Sequence, residues 1–406
     1  MALIVQKYGG SSLADAEKIK NIARRVAKAK EEGNQIVVVV SAMGHTTDNL
    51  IKLAFEINER PGDRELDVLL STGEIVSSTL LAMALETLGY SAVSLTGAQA
   101  GIHTDSSYSQ ARILRIDTKR VMNELKKGNI AIVAGFQGVT GRRDTTTLGR
   151  GGSDTTAVAL AASLGAAICQ IYTDVEGVYT ADPHLIPEAR RLKDIGYEEM
   201  LELATYGAKV MHNRAVELGE LYSVPILVAS SFTDSPGTLI CKEASMEVRN
   251  RVRGIAHDTD VSKITVVGVP DHPGIAAAIF GPLARANISV DTIVQNASIN
   301  SITDLTFTVA RSDLLKALPI VEPIVKSVGG KQCLTDSTLA KLSIVGTGMQ
   351  NTPGYAARMF RALYEQGINI QLITTSEIRI TCIIAEDKVK DAVRALHRAF
   401  ELEQET

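Results

Sequence analysis

Three short blocks of this sequence carry residue types and spacings that could handle phosphate and carboxylate. The first is Lys7-Tyr8-Gly9-Gly10-Ser11-Ser12, where an apolar run gives way to a helical pattern. Glycines let backbone amides close on a phosphate, a helix start adds partial positive charge, and Lys7 adds a full one. The same residues could equally form a plain Gly turn with a Ser cap. The second block is Gly149-Arg150-Gly151-Gly152-Ser153-Asp154-Thr155-Thr156, followed by an Ala-rich helix. It offers a guanidinium fork for a carboxylate, amides for a phosphoryl group and a carboxylate to hold lysines, and a bland loop would not need all three. The third runs from Thr173-Asp174 through Tyr179 to Asp182-Pro183, with Lys209 downstream. Taken alone it reads as a polar surface loop with an Asp-Pro turn. Neither G-x-x-x-x-G-K-[ST] nor G-x-G-x-x-G occurs, so a nucleotide would need a different phosphate-binding fold.

The elements around these blocks set where they lie. Short Val/Ile-rich runs at 2–6, 35–41, 91–95, 130–135, 167–173 and 225–230 alternate with helical patterns, the rhythm of an α/β domain. Residues 14–30 put Ile19, Ile22, Ala23 and Val26 on one face, so strand, turn, helix and strand form a right-handed crossover unit. The first and third blocks then fall at strand ends, where open α/β sheets bind ligands.

After Thr233-Asp234-Ser235-Pro236-Gly237 the texture changes, and the charged stretch 242–253 reads as an inter-domain connection. An internal repeat follows. Lys263-Ile-Thr-Val-Val-Gly268 recurs as Lys341-Leu-Ser-Ile-Val-Gly346, and Pro273-Gly274, Phe280, Leu283 and Ile288 recur as Pro353-Gly354, Phe360, Leu363 and Ile368. Each copy reads as a βαββαβ module. The expected division is a catalytic domain over 1–240, a linker over 241–260 and two modules over 261–338 and 339–406.

Composition narrows the function classes. Lys plus Arg (42) nearly balances Asp plus Glu (46) with no long run of either sign, which gives no footprint for nucleic acid or an anionic membrane. Aromatics are only 4%, so cores must be built from Val, Ile, Leu and Ala, as suits helices on parallel strands. Cys169, Cys241, Cys333 and Cys382 are far apart and form no C-x-x-C pair, so neither a zinc site nor a disulfide framework is expected. No targeting pattern or membrane span is evident, and a cytoplasmic protein is expected.

The blocks K-[FY]-G-G-[ST]-S, S-A-M-G-x-T-T, S-T-G-E, G-R-G-G-S-D-T-T and T-D-V-x-G-[VI]-Y-T-A-D-P all occur here in order, and with them the chain resembles the amino-acid kinase family, specifically its aspartate kinases. The resemblance implies a three-layer αβα domain with a mostly parallel sheet, and transfer of the ATP γ-phosphoryl group to the side chain of L-aspartate. It implies Lys7, Asp154 and Lys209 as catalytic residues, with the two lysines flanking the phosphoryl group. Lys7, Tyr8, Gly9, Gly10, Ser41, Thr173, Asp174, Tyr179, Asp182 and Lys209 would line the nucleotide site, with Mg²⁺ arriving on ATP. Thr47, Glu74, Arg150, Gly151, Gly152, Ser153 and Asp154 would hold the amino acid. A cation opposite the α-carboxylate and an anion opposite the α-ammonium select an amino acid over a plain diacid. The chain departs from the family pattern at His184, where A-D-P-R is common, and at His212-Asn213, where His-Pro is usual. A sensor that had lost its kinase would not be expected to keep Lys7, Arg150, Asp154 and Lys209.

The repeated modules resemble paired ACT domains of ferredoxin-like fold. That likeness implies an effector pocket at the turns and strand ends: Asp271, Pro273, Gly274, Gln295 and Asn296 in the first copy, Asn369, Ile370 and Ser376 in the second. Lysine, threonine or both are the implied effectors, and pairing of two tails implies at least a homodimer. In the second copy the turn Asn351-Thr352-Pro353-Gly354 has no acid and reads as structural. Met246 could begin a separate regulatory subunit.

Overall fold

The computed structural model describes residues 2–208, 210–242, 252–296, 298, 301–349 and 352–404. They divide into two compact units, Met1–Thr180 with Arg191–Val248, and Ala181–Arg190 with Arg249–Thr406.

In the first unit the strands are β1 (Leu3–Tyr8), β2 (Gln35–Val40), β3 (Ala92–Leu95), β4 (Ile102–Thr104), β5 (Ile113–Ile116), β6 (Ile130–Ala134), β7 (Gln137–Val139), β8 (Thr145–Thr147), β9 (Ile168–Thr173), β10 (Asp194–Gly196), β11 (Ile226–Ser230) and β12 (Thr238–Cys241). The helices are α1 (Ala16–Glu31), α2 (Thr46–Ile57), α3 (Asp63–Thr87), α4 (Lys119–Lys126), α5 (Gly152–Leu164), α6 (Tyr197–Thr205) and α7 (Asn213–Tyr222). Among the described residues eight strands form one sheet in the order β10-β12-β11-β9-β1-β2-β6-β3, parallel except where β11 meets β12. Residues 36–40 of β2 are fully buried, as a strand covered on both faces requires. β1 sits between β2 and β9, pairing Lys7 with Val39 on one side and Ile171 on the other. The chain leaves β1 towards β2 and later returns to β9 on its far edge, so the crevice for a ligand opens beyond the ends of β1, β2 and β9.

Two helices position the candidate residues. α5 is apolar all round, with Ala157, Val158, Ala159, Leu160 and Ala161 buried, and it packs on β1, β2 and β9 as a core helix. α3 is the one described helix long and apolar enough to cross a membrane by length and composition. Half of that stretch is buried inside the unit, and its inner face carries Asp67 and Glu74. The main-sheet strands expected from apolar runs lie within a residue or two of their observed positions. A second sheet, β5-β4-β7-β8, was not anticipated, because strands of three or four residues carry too little alternation to be read.

The second unit contains β13 (Gly254–Pro270), α8 (Ile275–Arg285), β14 (Val290–Gln295), β15 (Ile302–Val309), α9 (Leu314–Ser327), β16 (Gln332–Val345), α10 (Tyr355–Glu365), β17 (Leu372–Thr375), β18 (Arg379–Ala385) and α11 (Val389–Ala399). Its strands form one sheet in the order β14-β15-β13-β16-β18-β17. The two long strands serve both modules. The later part of β13 pairs with β15 inside the first module, while its start pairs Gly254 with Val345 and Asp258 with Lys341 in the second. The stretch expected as a linker therefore ends in strand from Gly254 onward, and the second module borrows its last strand from residues that precede the first. The repeat also shows in the cross-contacts: Lys263 Nζ donates to Gln371 at 2.9 Å, and its counterpart Lys341 pairs with Asp291 at 2.5 Å. Each module keeps its own core, one around Ile279, Phe307 and Val321, the other around Leu342, Leu363 and Leu396.

Candidate active site

Adjacent residues at the end of β1 face opposite sides of the sheet. Tyr8 is fully buried and stacks on Tyr172 with ring centroids 5.0 Å apart, and burial pushes its hydroxyl well above the ordinary phenol range. Its side chain is core, so any nucleotide contact at this position goes through the backbone. Lys7 meets Asp154 in the first turn of α5, Nζ to Oδ1 2.6 Å, with side chains only 11% and 12% exposed. So little exposure leaves the pair weakly screened, and the α5 N-terminus favours the carboxylate there.

The turns beyond β1 and β2 close on each other. Gly9 N–H donates to the Tyr172 carbonyl at 3.2 Å, Ser41 N–H to the Tyr8 carbonyl at 3.1 Å, and Gly44 N–H to the Gly10 carbonyl at 3.0 Å. A Cβ on Gly10 would stand 2.8 Å from the Ala42 carbonyl oxygen, so this approach requires glycine. Gly73 plays the same part on α3, where a Cβ would lie 2.8 Å from that of Ala42. Because Ala42 lies so close, its N–H donates to Glu74 Oε1 at 3.0 Å. Glu74 is 3% exposed, and its Oε2 has no hydrogen-bond partner among the described residues. Burial pushes its pKa up to about 8, against the pull of its own amide and that of Ala42. Thr47 lies in the first turn of α2, just beyond this turn.

The Gly-rich turn before α5 is built against α7. Gly151 has φ +69°, and a Cβ there would fall 2.3 Å from the His212 side chain. His212 caps α7 by accepting the Arg214 N–H at 3.3 Å, and burial lowers its pKa although Asp154 pulls the other way. Gly152 and Ser153 are buried, while Arg150 is exposed, with no hydrogen-bond or ion-pair partner among the described residues. At the end of β9 the Thr173 hydroxyl donates to the exposed Asp174 carboxylate at 3.0 Å, and Tyr179 bridges to Arg191. Asp182 belongs to the second unit, and Lys209 lies outside the described residues.

In the second unit Gln295 Nε2 donates to Asp271 Oδ1 at 3.5 Å, so these two residues meet. Gly274 opens α8 at φ +99° just after Pro273, and the Asn296 carbonyl accepts the Thr303 hydroxyl at 2.8 Å. In the second module Asn369 is exposed, Ile370 packs on the core, and Ser376 N–H donates to the Arg379 carbonyl at 2.8 Å. Asn351 lies outside the described residues.

Residues 2–230 match the model of the amino acid kinase family, and 263–325 and 342–400 each match an ACT domain. An aspartokinase of Pseudomonas aeruginosa is 53% identical over 406 residues, covering 99% of this chain and 98% of that one. The chain belongs to the aspartate kinases of the amino acid kinase family. An aspartokinase of Thermus thermophilus is 50% identical, with both chains wholly covered. A solved structure of E. coli aspartokinase III in complex with aspartate and ADP superposes with a TM-score of 0.82 at 25% identity, covering 98% of this chain and all of that one. The same enzyme in complex with lysine and aspartate gives 0.76 at 25% identity.

Two supporting residues that carry no motif hold the elements of the candidate site. Asp67 is fully buried in α3 and accepts from Thr147 N–H at 2.8 Å, Thr147 Oγ1 at 2.7 Å and Ser109 N–H at 2.9 Å, tying α3 to the strand that leads into the Gly-rich turn. Arg214 donates to the Leu148 carbonyl at 2.6 Å and the Ala111 carbonyl at 3.1 Å, holding the start of that turn. The one available signal was a lone Asp inside the apolar stretch 66–70.

Glu74 makes the stability of the free enzyme pH-dependent. Its folded pKa is raised from 4.5 to about 8, so its contribution is fully present below pH 4.5 and is lost as pH rises through 8. Glu74→Gln removes that loss. Denaturant melts should show the variant gaining on the wild type steadily from about pH 5 to pH 8, with no further change above; a pH-independent difference would mean Glu74 titrates normally.

Proposed function

We propose that this aspartate kinase moves the ATP γ-phosphoryl group onto the side-chain carboxylate of L-aspartate, giving 4-phospho-L-aspartate, with Lys7 held on the phosphoryl group by Asp154. The buried Lys7–Asp154 pair at the convergence of β1, β2 and β9 carries this reading. The nucleophile is a carboxylate with a reference pKa near 4, ionised at neutral pH, so the reaction needs no general base. Catalysis then comes from positioning and from neutralising charge on the transferring group, the part given to Lys7 and Lys209. Gly9, Gly10, Ser41, Thr173, Asp174 and Tyr179 hold the nucleotide, and Tyr8 contributes only backbone. Among the described residues no cluster of three His, Cys, Asp or Glu could hold a metal. The exposed Asp174 carboxylate at the end of β9 is an oxygen donor that fits Mg²⁺ carried on the ATP phosphates. When bound, the ion supplies further charge neutralisation.

Aspartate is held at its two charged ends. Glu74 takes the α-ammonium, which explains a buried carboxylate with an unpaired oxygen, and the free Arg150 guanidinium takes the α-carboxylate. Thr47, Gly151, Gly152 and Ser153 complete that pocket. The reading is supported by the neighbour solved with aspartate and ADP.

The reaction would open the route to lysine, threonine and methionine in the cytoplasm, with lysine, threonine or both acting back through the ACT pair. A neighbour solved with lysine supports an amino-acid effector. Asp271 and Gln295 meet at the Pro-Gly turn of the first module, where a carboxylate can take an ammonium and the α8 amides a carboxylate. Edge strands β14 and β17 offer the sheet positions through which two tails would pair as a homodimer.

Two measurements follow. Arg150→Ala and Glu74→Ala should each raise the aspartate KM roughly ten- to a hundred-fold, the loss of one charge-assisted contact, and move the ATP KM far less. Loss of ATP affinity with aspartate affinity kept would reverse the two pockets. Asp271→Ala or Gln295→Ala should hold uninhibited turnover within about three-fold while raising the half-inhibitory lysine or threonine concentration at least about ten-fold. Unchanged inhibition in both variants would remove these residues from the effector site.

A further inference from the structure

The loop after β9 carries Thr173, Asp174 and Tyr179, and its return leg starts at Arg191. The two legs are tied at their necks. Leu192 N–H donates to the Val178 carbonyl at 2.8 Å, and Tyr179 and Arg191 form an antiparallel bridge. The fully buried Thr238 hydroxyl accepts the Val178 N–H at 2.9 Å and donates to the Leu192 carbonyl at 2.6 Å.

Between the necks the chain leaves the first unit: Ala181–Arg190 is built into the second. There Ala181 and Ile186 are 3% and 1% exposed, within the same apolar cluster as Leu396, Phe400 and Leu402 of the second ACT module, and Leu185 and Ala189 pack against it. The segment folds on itself, Ile186 N–H donating to the Asp182 carbonyl at 2.9 Å and His184 N–H to the Asp182 carboxylate at 2.8 Å. Arg190 Nε then donates to the Leu402 carbonyl at 3.0 Å, near the C-terminal end of the chain. A segment inside a kinase sequence thus spends its apolar side chains on the core of the sensing module.

We infer that Ala181–Arg190 is a strap through which the second ACT core sets the far leg of the nucleotide loop, and that Ile186 and Arg190 are positioning residues for ATP. The inference rests on the reading of residues 173–179 as nucleotide-binding. A loop anchored at both ends meets the nucleotide already ordered, whereas a loop released at one end must be ordered on binding, and that cost falls on ATP alone. Leu402, although more than two hundred positions away in sequence, then acts on ATP through the same strap.

The experiment measures KM for ATP and for aspartate, with kcat and a thermal melt, in Ile186→Ala, Arg190→Ala and Leu402→Ala. Ile186→Leu and Arg190→Lys are conservative partners, and Asp174→Ala is the reference for the loop itself. The strap requires the ATP KM to rise about five-fold or more in the three alanine variants, with the aspartate KM within about two-fold and kcat within about three-fold, and the conservative variants to return most of the loss. If Asp174→Ala raises the ATP KM while the alanine variants do not, the strap is refuted and the nucleotide loop stands. If the variants move both KM values together, or only lower the melting temperature, the segment is ordinary packing and the inference falls. An unchanged ATP KM in Asp174→Ala would overturn the loop reading and the strap with it.

Discussion

Everything in the catalytic unit is arranged around one buried charge pair, Lys7 with Asp154. An ammonium in a nearly water-free position is costly unless a carboxylate sits against it. Meeting that condition fixes the end of β1 relative to the first turn of α5. That junction explains the surrounding glycines: Gly10 and Gly73 let the strand-end turns and α3 approach to contact distance, and Gly151 lets α5 begin against His212. The same close approach brings the Ala42 amide to Glu74, a second buried acidic group, whose pKa burial pushes up to about 8. Asp67 and Arg214 then hold the segment that leads into the Gly-rich turn with bonds to the backbone of Thr147 and Leu148. On the proposed reading, these buried groups supply much of the preorganisation that phosphoryl transfer needs.

The sensing unit follows a different logic. Its two modules are copies, yet neither is complete alone, because β13 and β16 each run through both and the second module closes on residues 254–258. A βαββαβ unit with its last strand taken from upstream cannot rearrange independently of its twin. The duplicated lysines show how far the copies have diverged: Lys341 is a buried partner of Asp291, whereas Lys263 donates an exposed hydrogen bond to the uncharged Gln371. On the proposed reading, an effector at the first Pro-Gly turn would act on a continuous six-stranded sheet shared by both modules.

The outline was legible because the signals were long or repeated. Parallel strands read as near-continuous Val/Ile runs, α1 showed its apolar face, and a duplicated Lys-Pro-Gly pattern announced the tail. The charged residues of the proposed site stand out in the sequence because Lys, Arg and Asp beside paired glycines are uncommon without a ligand. Four things were not legible. The strands of the small sheet are too short for periodicity, and whether Tyr8 points into the core depends on the register of β1 against β9. The placement of 181–190 in the other unit depends on tertiary packing, since its Leu185-Ile186 pair looks locally like any loop anchored by a proline. The supporting roles of Asp67 and Arg214 are bonds to backbone carbonyls and amides far away in sequence, which no motif encodes.

The central claim is that Lys7 and Asp154 act as a single unit on the transferring phosphoryl group. A double-mutant cycle on kcat, with Lys7→Ala, Asp154→Asn and the pair, tests it most directly. Residues that work as a unit are strongly non-additive, so each single change should cost roughly two to three orders of magnitude and the double variant little more than the worse single. Additive losses, or a Lys7→Ala enzyme turning over near the wild-type rate, would contradict the account.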